Sequence, residues 1–103
     1  MDRNGYNDSI LQDDMTSCFL CFRSDEKLDR HEIFGGAYRK KAKRDGLWVC
    51  LCHSRCHLYG VHQNADTARE LRRQAQEKAM SVYGWTTKEF ISRYGKNYKE
   101  EAC

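Results

Sequence analysis

Two short cysteine pairs, Cys18-x2-Cys21 and Cys52-x3-Cys56, stand thirty residues apart in this chain. They constrain its fold more than any other feature. Zinc takes four soft ligands in a tetrahedron, and two close pairs brought together by a hairpin supply that geometry. Such a site contributes folding free energy directly. A chain of 103 residues buries only a modest core and has use for it. The two remaining candidates as substitute ligands are Cys50 and His53. Cys50 lies within an apolar run and is expected to be a core residue rather than a ligand. Cys103 is expected to be a free thiol. No βαβ pattern surrounds Cys18-x2-Cys21, which argues against a redox pair. The first residues lack the basic and apolar regions of a signal peptide, and no run approaches a membrane span. The expectation is therefore a cytoplasmic, reducing location, with cysteines as metal ligands or thiols rather than disulfides.

The pattern along the chain predicts one α+β domain. Residues 1–17 carry Asp2, Asp8, Asp13 and Asp14 with little apolar periodicity, and read as a flexible acidic lead-in from which Ile10 and Leu11 could dock. The domain proper is expected over 18–103, with a core over 18–64 and C-terminal helices over 66–95. Leu28 to Phe34 reads as a strand ending at Gly35-Gly36. Arg39-Lys-Lys-Ala-Lys-Arg44 reads as a basic loop or single helical turn closed by Asp45-Gly46. Leu47 to Leu51 is a short apolar run between turn signals and predicts a buried strand. A short helix follows near His53 to Tyr59. Thr67 with Glu70 has the form of a capping box. Ala68, Leu71, Ala75, Ala79 and Val82 then repeat at helical spacing up to Gly84. A second box, Thr86 with Glu89, opens a helix carrying Phe90, Ile91 and Tyr94 and ending at Gly95. Trp48, Trp85, Phe90 and Tyr94 read as packing residues.

All four histidines lie between positions 31 and 62. His31 sits near the end of the first strand, His57 directly after Cys56, and His62 five residues on. One strand histidine and two from a helix and its exit can converge on a divalent cation, since imidazole suits transition metals. Arg39, Lys40, Lys41, Lys43 and Arg44 concentrate positive charge beside them. Contacts of that kind hold phosphate backbones without reading sequence. Overall charge decides little: 18 Lys and Arg against 15 acids leave +3. Arg69, Arg72, Arg73 and Lys78 lie on the polar side of the long helix, where solvation is the plainer reading.

The residues His31-Glu-Ile-Phe-Gly-Gly36, Arg39-Lys-Lys41, Gly46-Leu-Trp-Val49, Leu51-Cys52, Cys56-His57 and Gly60-Val-His62, with a tail Phe90 to Tyr98, resemble the HNH (His-Me finger, ββα-metal) endonuclease family, and within it small phage and prophage proteins. The likeness runs from about Cys18 to Tyr98. It implies a ββα-metal hairpin-plus-helix with a zinc-clipped cysteine knuckle, a catalytic divalent cation (Mg²⁺, Mn²⁺, Ni²⁺ or Zn²⁺) and hydrolysis of DNA phosphodiesters in a bacterial host. It further implies a structural zinc on Cys18, Cys21, Cys52 and Cys56, with the catalytic cation on His31, His57 and His62. Arg39 would offset charge on phosphorus, and Arg39, Lys40, Lys41, Lys43 and Arg44 would hold DNA.

Two positions depart from the family's pattern. Where the family often reads Asp-His or His-His, this chain has His31-Glu32. In one register His31 is a ligand and Glu32 the general base; in the other His31 is the base and Glu32 joins His57 and His62 as a ligand. Tyr38 stands where the subgroup often has Asn. The departures leave a second expectation beside the enzyme: a noncatalytic, zinc-stabilised DNA-binding module of the same fold. The sequence is silent on oligomeric state.

Overall fold

The computed structural model describes residues 4–99; Cys103 and Asp2 lie outside the described residues. The frame is a two-stranded antiparallel hairpin, β1 (Leu28–Glu32) and β2 (Trp48–Cys52), with register Leu28↔Cys52, Arg30↔Cys50 and Glu32↔Trp48. Between the strands run a 3₁₀ turn (Gly36–Tyr38) and a helix, α1 (Arg39–Asp45). A π-helix (His53–Val61) follows β2 directly, then α2 (Ala65–Tyr83) and α3 (Thr87–Tyr94). This is the α+β hairpin-plus-helix architecture the sequence predicts. The basic segment is two turns of helix rather than a loop or single turn. Gly46 ends it in the left-handed region, φ 74°, donating to the Ala42 and Lys43 carbonyls.

Alternation along the strands separates two faces. Asp29, His31, Val49 and Leu51 face the helices, where Val49 and Leu51 join a core with Leu71, Ala75, Ala79, Phe90 and Tyr94. Arg30, Glu32, Trp48 and Cys50 face the other way, and Cys50 is a core residue, as expected, packed with Tyr6 and Trp48 in a second, smaller cluster.

That second face receives part of the acidic lead-in. Ser9 donates to the Trp48 carbonyl (2.6 Å), Gln12 accepts from the Cys50 N–H (2.8 Å), and the Phe19 N–H reaches the Cys50 carbonyl (2.8 Å). These groups occupy the outer edge of β2, whose backbone would otherwise go unpaired. Trp48 donates its indole N–H to the Asn7 carbonyl (2.8 Å), and the Ile10 N–H meets the Gly46 carbonyl (3.0 Å). Polar side chains carry most of this docking, so apolar periodicity does not register it.

In the helices, Leu71, Ala75 and Ala79 are buried along one stripe of α2, but Val82 lies past the end of the core and is 49% exposed. Ile91 is likewise turned outward while Phe90 and Tyr94 are buried. The α2 cap is Asn64, three residues before the predicted Thr67; its side chain accepts from the Asp66 and Thr67 N–H groups. The predicted Thr86–Glu89 capping box is present with both of its hydrogen bonds. Gln76 is fully buried in the middle of α2, yet satisfied: it donates to Asn97 (2.9 Å) and accepts from the Tyr98 N–H (2.6 Å). That clamp lays the tail beyond α3 back over the core, where Phe34 meets Tyr94 and Tyr98 at 4.8 and 5.3 Å between ring centres.

A Cβ at Gly46 would collide with the Asp8 carbonyl oxygen, and the backbone there is left-handed. Gly46→Ala is expected to lower stability by about 2–3 kcal/mol, combining left-handed strain with displacement of the docked segment. Thermal or urea unfolding measures it; an unchanged midpoint would show that residues 7–12 do not sit against this turn.

Candidate metal centre

Cys18 and Cys21 lie on a tight turn, Cys52 at the end of β2, and Cys56 in the first turn of the π-helix. Their four sulfurs lie within 4.8 Å of one another. A tetrahedral zinc with bonds of about 2.3 Å spaces its sulfurs about 3.8 Å apart, and the Cys21 and Cys52 sulfurs are 3.7 Å apart. Backbone N–H groups are aimed at the sulfurs: Cys21 N at Cys18 Sγ (3.5 Å) and Cys56 N at Cys52 Sγ (3.4 Å). Burial works to raise the Cys18 thiol, but the backbone N–H groups of Cys21, Cys52 and Leu20 outweigh it and bring the group down to about 7. The set therefore fits a zinc thiolate site, and no disulfide occupies it. Phe22 closes the turn with φ 64°, donating to the Cys18 carbonyl (2.9 Å).

His31, His57 and His62 form a second group, their ligand nitrogens also within 4.8 Å of one another. The His57 and His62 Nε2 atoms are 3.1 Å apart. Tetrahedral nitrogen ligands at about 2.0–2.1 Å from an ion sit about 3.3 Å apart, so this set also fits a cation. The π-helix makes the pairing possible. An α-helix turns about 100° per residue and would splay residues five apart. The wider i→i+5 turn stacks them, and the His62 N–H indeed returns to the His57 carbonyl (3.3 Å).

Behind His57 stands Asp29, which sequence reasoning missed. Its Oδ2 meets His57 Nδ1 at 2.8 Å and His53 Nδ1 at 2.6 Å. A proton on Nδ1 fixes the tautomer and leaves Nε2 as the ligand atom. Burial works to raise the Asp29 carboxyl, but hydrogen bonds from His53 and His57 outweigh it and hold it below the usual range. Asp29 and His31 are alternate strand residues on one face, and that spacing was the signal available. His53, considered as a zinc ligand, faces Asp29 instead.

His31 is pushed down to about 4, first by burial and then by the adjacent His57 and His62. It is neutral near pH 7, the form that ligates a metal. Glu32 does not join the histidines, because the next strand residue turns to the other side. Its carboxylate accepts from Tyr6 Oη (2.6 Å) and pairs with Arg39. Burial works to raise Glu32, and those partners keep it below the usual carboxylate range. Of the two registers, the geometry groups His31 with the other histidines and leaves Glu32 outside the ligand set.

Both lie on one cavity of about 410 Å³, lined also by Arg30, Arg39, Arg72 and the Gly35–Gly36 backbone. Glu32 is its one carboxylate among the described residues. Arg39 lines it; Lys41 instead donates to the Arg93 carbonyl (3.0 Å), Lys43 sits over the Tyr6 ring (4.8 Å), and Arg44 pairs with Asp45 (3.8 Å). Two helical turns cannot present five cations on one side, so the basic run is divided. Tyr38 is a packing residue against Tyr94, its hydroxyl so close to Gly95 that no Cβ fits there. No helix among the described residues is long and apolar enough to cross a membrane. No protein-family model, curated protein or solved structure matches this chain.

The two groups predict two zinc equivalents per chain, and one after His57→Ala. Asp29→Asn is expected to weaken the weaker site about 10–100-fold while leaving the other untouched. Titration against a competing chelator reads both; a single site in the unaltered protein would remove the histidine centre.

Proposed function

We propose that this protein is a metal-dependent endonuclease cleaving DNA phosphodiesters. The observation that carries the reading is the convergence of His31, His57 and His62 on an open cavity that also holds Arg30, Arg39, Arg72 and one carboxylate. A purely structural metal site closes its ligand sphere, whereas three imidazoles beside a solvent-open cavity leave a position for substrate. The resemblance of the His31 to His62 motifs to the HNH family supports the same assignment, and phage or prophage DNA is the setting it suggests.

A cation held by the histidines would supply Lewis-acid polarisation of a phosphate oxygen and stabilise the leaving oxygen. The chain's own residues do the rest. Asp29 orients His57. With His31 committed as a ligand, Glu32 is the group placed to take a proton from the attacking water. Arg39, paired with Glu32, holds that carboxylate at the cavity rim and faces the charge that builds on phosphorus. An all-imidazole donor set favours a transition ion over Mg²⁺, whose preference is for oxygen. The cysteine site keeps the turn at 18–21 joined to the end of β2, which fixes the start of the π-helix.

The second reading, a noncatalytic DNA-binding module, draws support from Glu32, already engaged by Tyr6 and Arg39, and from Tyr38, half-buried against Tyr94.

Plasmid nicking by purified, zinc-loaded protein tests the proposal. Cleavage is expected with Mn²⁺, Ni²⁺ or Zn²⁺ and weakly if at all with Mg²⁺. His57→Ala should abolish it, and Glu32→Gln should slow it about 10²-fold or more. A folded protein that shifts DNA in a gel yet cleaves with no cation would establish the binding module instead.

A further inference from the structure

A second cavity of about 450 Å³ adjoins the first, and the two share His62 and Arg72. Its walls are the polar side of α2 and the tail beyond α3, with Arg69, Arg72, Lys96 and Tyr98 at its margin and no carboxylate among the described lining residues. The tail is not loosely placed there. The fully buried Gln76 holds both Asn97 and the Tyr98 N–H. The Tyr98 ring then gathers two of the cations, Arg72 at 5.9 Å and Lys96 at 5.4 Å from its centre. Cations at such distances from a ring face are attracted by its quadrupole. Arg69 stands one helical turn before Arg73 and three residues before Arg72, paired with Asp66 at 3.0 Å.

The result is a basic pocket that meets the histidine group at His62 and whose described lining leaves Arg39 out. A nucleic-acid strand carries a phosphate at every nucleotide, so a strand with one phosphate at the histidines must place the next beside them. Arg39 lines the first cavity, and this pocket adjoins it. Resting on the nuclease reading above, we propose that the pocket between α2 and the 96–98 tail is a subsite for the phosphate adjacent to the scissile one. The substrate strand would run from Arg39 across the histidines to Arg72 and Lys96. Arg72, common to both cavities, bridges the two phosphates, and the subsite reads the backbone and not the bases.

The experiment compares two substrates. One is a short oligothymidylate, which fills neighbouring phosphate positions. The other is bis(p-nitrophenyl) phosphate, a diester with a single phosphorus. Lys96→Ala and Arg69→Ala, both at exposed positions, are expected to raise the oligonucleotide KM and the dissociation constant read by fluorescence anisotropy, each about five- to tenfold. Each should also reduce the slope of log affinity against log salt by about 0.7. Cleavage of the small diester should stay unchanged. Lys78→Ala, on α2 but beside a different cavity with Leu11 and Phe19, should leave all readouts unchanged. Unaltered oligonucleotide affinity in both variants would overturn the subsite. So would an equal loss on the small diester, or an equal loss in Lys78→Ala. If no variant and no wild-type protein cleaves either substrate, the nuclease reading fails, and the anisotropy series still decides whether the pocket holds a strand.

Discussion

Four sulfurs from two stretches of chain thirty residues apart meet at the end of β2, and the rest of the structure hangs from that junction. The hairpin has only two strands of five residues each. Such a hairpin is marginal by itself in water. The cysteine turn closes against one end of it, the docked segment 4–17 covers one face and one edge, and α2 and α3 cover the other face. The same junction fixes where the π-helix starts, because Cys52 is its cap and its sulfur accepts the Cys56 N–H. Since Cys56 and His57 are neighbours, the cysteine cluster and the histidine cluster are consecutive residues of one element. A distortion at the first is felt at the second without any intervening segment to absorb it.

The histidine centre shows how a strand and an unusual helix divide the work. β1 contributes His31 and Asp29 from one face, so a candidate ligand and the group orienting another arrive two residues apart. The π-helix contributes His57 and His62 one wide turn apart. Neither element holds a complete ligand set. The hairpin register, with His31 opposite Val49, is therefore part of the site's geometry and not only of the fold. A one-residue slip would turn His31 toward Trp48 and Cys50 and leave the helix pair alone.

Legibility from sequence follows the kind of interaction involved. The cysteine spacing, the two strands, Gly46, Gly84 and Gly95, and the Thr86–Glu89 box were legible because each is a local pattern with a local cause. The grouping of three histidines was legible from their order around a hairpin. The register choice between His31 and Glu32 was not, since it depends on which face of β1 meets the helices. The pairing of His57 with His62 through an i→i+5 turn was hidden, because an ordinary helical wheel puts residues five apart on diverging sides. Asp29 was missed because an acid in a short strand looks like any solvated residue until the π-helix is laid beside it. The docking of Ile10 and Leu11 was legible from their apolar side chains, but that of Asn7, Ser9 and Gln12 was missed for a different reason. Asn7, Ser9 and Gln12 act through side-chain hydrogen bonds to backbone, which leave no periodic trace.

That docking has a consequence for how the chain assembles. Tyr6 reaches Glu32, Ser9 and Gln12 reach β2, and Ile10 reaches Gly46. Each partner lies from 26 to 39 residues away in the chain. None of these bonds can form until the hairpin exists to offer its edge, and each requires a long loop to close. Residues 6–12 are thus made before the hairpin they dock on, yet join it only after it has formed. During that interval the outer edge of β2, with Trp48 and Cys50 on its uncovered face, is open to any other strand that arrives first.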